Sequence, residues 1–222
     1  METRAFRSRA ALTAAVAVLF ALTGCAQAQP DPPASTAPTP TESADPSAAT
    51  LVVGGSDFAL LDATGEEIDR IAYSVPVEEA IAVLTASIDA SPQSAVEGQQ
   101  TCFGEYETAR WGESLVVKHG ESLPLPGEAA FEIDVLGASA GPLRIETPQG
   151  FAVGESIAEL TASVPEAPAL QFETGGALVN YDVVTGTEQD GAQPYYGAQA
   201  TDLEGTGLIG EIRSPLDFRF DC

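Results

Sequence analysis

Two stretches of this 222-residue chain are spelled like sites of chemistry: Gly137-Ala138-Ser139-Ala140-Gly141 and Gly205-Thr206-Gly207-Leu208-Ile209-Gly210. The first has the Gly-x-Ser-x-Gly spacing of a nucleophile elbow, a sharp strand-to-helix turn that presents a serine hydroxyl to a histidine base. It follows an expected strand, Phe131 to Leu136, but Pro142 and the β-like Leu143-Arg144-Ile145 stand where the helix has to begin. The chain's single histidine, His119, precedes the serine, whereas the elbow fold supplies its base afterwards. A Gly/Ala/Ser turn is the expectation, with a hydrolase using Ser139 as the alternative. The second stretch matches the dinucleotide fingerprint, yet Pro215 cuts short any following helix and the acidic partner about 20 residues on would fall past Cys222. A flexible loop ahead of a final strand is expected there.

Metal chemistry is thinner still. One histidine and three cysteines, one of them assigned to an anchor below, do not make a zinc site of the usual kinds. The run Asp62-Ala63-Thr64-Gly65-Glu66-Glu67-Ile68-Asp69 offers hard oxygens without calcium-loop spacing, so an Asx-type turn is expected. Trp111, Tyr195 and Tyr196 are candidates for a recognition surface or for core and cross-strand packing. Neither a catalytic residue, a metal nor a cofactor is expected.

The address of the chain is written at Leu22-Thr23-Gly24-Cys25. Arg4, Arg7 and Arg9 form a basic n-region, and Ala10 to Ala21 form a twelve-residue apolar stretch, too short to span a bilayer but right for a signal h-region. These residues resemble the lipobox of bacterial lipoproteins, in which the cysteine receives a diacylglyceryl thioether and becomes the mature N-terminus. The resemblance implies that residues 1–24 are a removed signal peptide and that Cys25 is the lipid attachment site. It places the mature chain on the extracytoplasmic face of a cell membrane. Cleavage as an ordinary secretory signal at Ala26-Gln27-Ala28 is the alternative.

Loss of residues 1–24 takes three of nine basic and one of 33 acidic residues, which leaves 6 − 32 = −26. A surface so acidic argues against nucleic acid or anionic lipid headgroups as partners, since both are held by Lys and Arg. The expected partners are the membrane, through the lipid on Cys25, and an envelope protein or small ligand, with the chain a monomer. Residues 25–49 are rich in Pro, Ala, Ser and Thr and carry no large apolar side chain, so they are expected to be a disordered tether. At about 3.1 Å per residue, such a tether reaches on the order of 75 Å.

Beyond it, Leu51 to Val53, Phe58 to Leu61 and Ile68 to Tyr73 read as strands, the last two forming a hairpin. Pro76 and Glu78-Glu79 open a helix whose Ile81, Leu84 and Ile88 form an apolar stripe, stopped by Ser91-Pro92. The stripe recurs 76 residues later, with Glu155, Ile157, Leu160, Thr161, Ala162, Ser163 and Val164 against Glu79, Ile81, Leu84, Thr85, Ala86, Ser87 and Ile88. The expected fold is therefore α+β, a tandem of two helix-plus-antiparallel-sheet units at 50–126 and 127–222, following the signal peptide and disordered tether. With Cys102, Trp111-Gly112 and the Val153 to Leu160 stretch, the pattern resembles a group of uncharacterised lipoproteins of high-GC Gram-positive bacteria. More distantly, its architecture is similar to the β-lactamase inhibitory proteins, which implies a proteinaceous enzyme inhibitor as a further alternative. Once Cys25 is lipidated, Cys102 and Cys222 are the remaining thiols, and an extracytoplasmic chain is expected to join them in one disulfide. Two separate buried thiols are the rival. The function expected is a non-catalytic binding or interaction module of the cell envelope.

Overall fold

The structure, a computed structural model, describes residues 47–98, 104–164, 169–172, 175–185 and 195–217. Cys25, Cys102, Cys222, the leader and nearly all of the tether lie outside them.

Strands β1 (Ala48–Val53), β2 (Asp57–Asp62) and β3 (Glu67–Ala72) lead into helix α1 (Val77–Ile88), followed by β4 (Gln93–Glu97), β5 (Tyr106–Trp111) and β6 (Leu115–His119). Then come β7 (Glu132–Val135), β8 (Ser139–Ala140), β9 (Leu143–Glu146), helix α2 (Ile157–Ser163), β10 (Ala169–Gln171), β11 (Ala177–Thr185), β12 (Tyr195–Asp202) and β13 (Glu211–Asp217). Among the described residues these strands make a five-stranded sheet, ordered β3-β2-β1-β9-β8, and an eight-stranded sheet, ordered β10-β11-β12-β13-β7-β6-β5-β4.

This arrangement overturns the expected α+β tandem of helix-plus-sheet units. The chain is mainly β, built on two large sheets to which both halves contribute. β1 pairs in parallel with β9, through Leu51↔Ile145 and its neighbours, and β13 pairs antiparallel with β7, through Arg213↔Asp134. The physical cause is backbone satisfaction: a strand edge left open in each half is a row of unpaired donors and acceptors, and pairing across the halves closes both edges. The helices are also unequal, twelve residues against seven, so the shared apolar spacing does not make them equivalent elements.

One hydrophobic core contains Leu51, Phe58, Leu84, Leu115, Ile133, Ile145, Leu160, Tyr181 and Ile212, drawn from both sheets and both helices. In α1 the buried stripe is Val77, Ala80, Leu84 and Ile88, at i, i+3, i+7 and i+11, so the helix is rolled away from Ile81, which is half-buried. The helix ends at Asp89, in the left-handed conformation with φ 56°, just ahead of the Ser91-Pro92 stop. The β2–β3 hairpin closes as expected on an Asx-type turn: the Thr64 and Glu66 amides donate to Asp62 Oδ1 at 2.8 and 2.9 Å, and Gly65 takes φ +85°.

The β1–β2 connection latches the sheets together. The Tyr73 and Ser214 hydroxyls donate to the Gly54 carbonyl at 3.2 and 2.6 Å, and the Tyr181 hydroxyl donates to the Val53 carbonyl at 3.2 Å. The Gly55 amide donates to Asp182 Oδ2 at 2.6 Å. Asp182 itself sits at φ 47° where the β11–β12 register slips between Tyr181 and Val184.

Candidate functional site

The eight-stranded sheet turns one face to the core and carries its chemistry on the other. Strand alternation sorts the residues: Ala109, Trp111, Leu115, Val117, Ile133, Val135 and Ile212 point into the core. Their neighbours Tyr106, Thr108, Arg110, Lys118, Glu132, Asp134, Glu211 and Arg213 share the outer face. Register then sets charge against charge, with Lys118 opposite Glu132 and Asp134 opposite Arg213.

The result is a connected network. Lys118 Nζ lies 3.0 Å from Glu132 Oε1 and also pairs with Asp134 Oδ2. Arg213 reaches Glu132 Oε1 at 3.4 Å through Nη2, Asp134 Oδ1 at 3.4 Å through Nε, and Glu211 Oε1 at 3.9 Å. Toward the β4 edge, Glu97 accepts from the Tyr106 hydroxyl at 2.9 Å and from Arg110; toward the β11 side, the Gln199 amide donates to Asn180 Oδ1 at 2.9 Å. Glu132 and Asp134 are only 6% and 5% exposed. Lys118 and Arg213 lie across them, stems over carboxylates, which is how a sheet surface hides charge beneath long side chains.

Electrostatics inside this network are unbalanced. Burial alone would lower the Lys118 and Arg213 pKa values, but Asp134 and Glu132 outweigh it and hold both cations firmly protonated. Glu211 is displaced the other way: burial, reinforced by the negative charge of Asp134, pushes its carboxyl above the ordinary range. Two cations thus face three carboxylates. Three buried side-chain atoms lack a hydrogen-bond partner among the described residues, Asp134 Oδ1, Arg213 Nε and Thr201 Oγ1. All three belong to this face, since Thr201 stands opposite Glu211 across β12–β13. Asp134 Oδ1 and Arg213 Nε are near enough to attract but are not aligned for a hydrogen bond.

The residues singled out from sequence fall elsewhere. Ser139 is exposed on β8, in a hairpin that pairs it with Arg144, and not at a strand-to-helix turn. It borders a cleft of about 230 Å³ with Ile88, Ser91, Arg110, Trp111 and Ser114, and its hydroxyl has no hydrogen-bond partner among the described residues. His119 ends β6, the strand that Ser114 precedes, so the imidazole lies a strand's length from that cleft, with Nε2 3.8 Å from Glu107. Trp111 is 5% exposed and donates from Nε1 to the Ala90 carbonyl at 2.9 Å, which makes it a packing residue. Tyr196 is half-buried in β12, and for Tyr195 only the backbone pairing to Thr185 is described.

The Gly205 to Gly210 stretch forms a loop into β13 with no helix behind it. Asp202 accepts from the Thr206 and Gly207 amides at 3.0 and 2.6 Å, so the donors that a phosphate would need are already used by a carboxylate. Burial opposes ionisation of Asp202, but the Gly207 and Thr206 donors overcome it and keep the pKa below its ordinary value.

The outer-face network was missed by motif reading because it has no motif. Its trace in the sequence is alternation: Phe131-Glu132-Ile133-Asp134-Val135 and Glu211-Ile212-Arg213 interleave charges with apolar residues at period two. Among the described residues no helix is long and apolar enough to cross a membrane. No protein-family model matches the chain, and neither a curated protein nor a solved structure matches it.

Proposed function

We propose that this chain is a membrane-anchored extracytoplasmic lipoprotein that acts as a non-catalytic binding or interaction module, held by lipid on Cys25 and making contact through the outer face of the eight-stranded sheet. The anchor rests on Leu22-Thr23-Gly24-Cys25 behind its basic and apolar leader. The binding role rests on one observation: the charged network and every buried unpaired polar side-chain atom of the described residues lie together on that face. Interiors leave few such atoms unpaired, so each calls for an explanation. The inhibitor alternative drew on a duplicated unit, which the fold does not contain, and is not carried forward.

Fractionation tests the anchor. Mature wild-type chain is expected in the membrane pellet and Cys25→Ala in the soluble fraction, because two acyl chains hold a protein stably. Retention of the variant at wild-type levels would refute lipidation. The disulfide belongs to the same proposal: non-reducing mass spectrometry is expected to find Cys102 and Cys222 joined, and two alkylatable thiols in the folded chain would exclude the bridge. A second reading, an envelope hydrolase, is favoured only by Ser139 bordering a cleft. Its test is labelling by a fluorophosphonate probe, and we expect none, as His119 lies a strand's length from the cleft that Ser139 borders.

A further inference from the structure

We propose that the cleft beside Ser139 is a binding site for one neutral sugar ring, an uncharged and hydroxyl-rich ligand of monosaccharide size, held by Ser91, Gln93, Arg110, Ser114 and Ser139. The inference does not rest on the outer-face reading above and goes beyond it.

Three parts of the chain build the cleft. The end of α1 and the residues after it supply Ile88 and Ser91, the turn between β5 and β6 supplies Ser114, and the β8–β9 hairpin supplies Ser139. Two contacts fix these walls against one another. Trp111 Nε1 donates to the Ala90 carbonyl at 2.9 Å, which ties β5 to the chain just past the helix. Gly141 lies so near the helix end that a Cβ there would stand 3.0 Å from the Ile88 carbonyl oxygen, so the hairpin abuts α1. The cleft is therefore formed before a ligand arrives, as small-molecule sites mostly are. Its volume is about 230 Å³. A cavity of about 150 Å³ holds benzene, so this one has room for a six-membered ring together with its substituents.

The chemistry of the lining selects what that ring carries. The hydroxyls of Ser91, Ser114 and Ser139 and the carboxamide of Gln93 make no hydrogen bond to other described residues. Each of these groups both donates and accepts, as a sugar hydroxyl does. Arg110 stands opposite Gln93 across β4–β5 and gives one N–H to Glu97, which offsets its charge and leaves the rest of the guanidinium fork to donate. Ile88 and Trp111 add apolar surface for the C–H groups of a ring, and the indole N–H is already used.

Charge rules out the ionic alternatives. None of the lining residues is acidic, so a cation finds no counter-charge in the cleft. An anion is repelled by a chain of formal net charge −24, and the one lining cation is already paired. A neutral ligand is what remains.

Trp111 is the only tryptophan of the chain, so tryptophan emission reports on the cleft directly. The full-length chain, in a detergent without a sugar headgroup, is titrated with D-glucose, D-mannose and D-galactose. A saturable change is expected with at least one of them at a Kd of about 1 mM, the scale for a ligand of this size. Glucuronate and protonated glucosamine put a charge of either sign on the same ring and are expected to bind at least about tenfold more weakly. Ser139→Ala and Gln93→Ala are each expected to weaken the neutral hexose about fivefold. Ser94→Ala, beside Gln93 but outside the cleft, is expected to cost less than about twofold. Methyl glycosides then separate two sources of the ring: retained binding identifies the end of a glycan chain and lost binding a free sugar, and either supports the site.

No saturable response to any of the three hexoses overturns the assignment, and so does glucuronate or glucosamine binding as tightly as the best of them. Amide shift mapping on the wild-type chain keeps the site testable if a variant fails to fold. Shifts confined to residues 88–93, 110–114 and 139–141 support it. Shifts centred on Glu132 and Arg213 overturn the cleft site while leaving an interaction module in place.

Discussion

Glu211 is the residue at which burial and charge oppose each other. Its pKa is raised by burial and then by Asp134, so the folded chain takes up a proton there more readily than the unfolded chain does. For such a group the sign runs against folding at neutral pH: the unfolded state gains by ionising, and the cost to the fold grows as pH rises through the ordinary value of 4.5 toward the folded one. Glu211→Gln is therefore expected to raise the melting temperature at pH 7, with the gain shrinking as pH falls toward about 4.5 and lost below it. Thermal melts of both chains at pH 7 and pH 4 check it, and a variant less stable at pH 7 would contradict the assignment. Lys118 presents the opposite case. Lys118→Met strips one cation from two carboxylates that are nearly inaccessible to water, and removing one partner of a buried pair costs about 3–5 kcal/mol. Arg213 still touches both carboxylates, so we expect the low end, about 3 kcal/mol, seen as a lower urea midpoint at an unchanged m value.

Among the elements, the Gly54-Gly55 connection is the one that tolerates least. A Cβ on Gly55 would stand 2.0 Å from the Asp182 carbonyl oxygen and 3.0 Å from Gly197 Cα, both backbone atoms that cannot swing aside. Gly55→Ala is expected to destabilise by about 3 kcal/mol, toward the top of the overpacking range, because the latch between the sheets has to open. Gly98→Ala has no atom within 4 Å of its new Cβ and is expected to stay within about 0.5 kcal/mol. Denaturant unfolding of the pair decides whether the latch or a generic glycine effect is at work.

The hairpin around Asp62, by contrast, was legible in sequence, because its turn is closed by a carboxylate acting on amides two and four residues away. α1 was legible for the same reason, its stripe and its acidic first turn being local. What local reading misjudged was assembly. Nothing near Leu51 announces Ile145, and nothing near Ile133 announces Ser214, so strands that look like parts of two units merged into shared sheets. The latch was hidden likewise, since Asp182 and Gly55 are 127 residues apart.

At the scale of the whole molecule, the excess of acid is the dominant long-range force, and its balance against the ion pairs sets the response to salt. The full chain carries 33 acidic residues against nine basic ones. Self-repulsion of this size destabilises the compact state, and it acts over distances that salt shortens to a Debye length of about 10 Å at 0.1 M. Ion pairs respond in the opposite sense, but Arg70 and Arg144 are half-exposed in theirs, and exposed pairs contribute only about 0–1 kcal/mol each. The pairs of Lys118 are sheltered, and screening reaches sheltered pairs far less. Relief of repulsion therefore outweighs weakening of the pairs, and the melting temperature is expected to rise between about 0.01 M and 0.3 M sodium chloride, over which the Debye length falls from about 30 Å to below 10 Å. A melting temperature that falls with salt would show that the exposed ion pairs, and not the acidic excess, govern the stability of the fold.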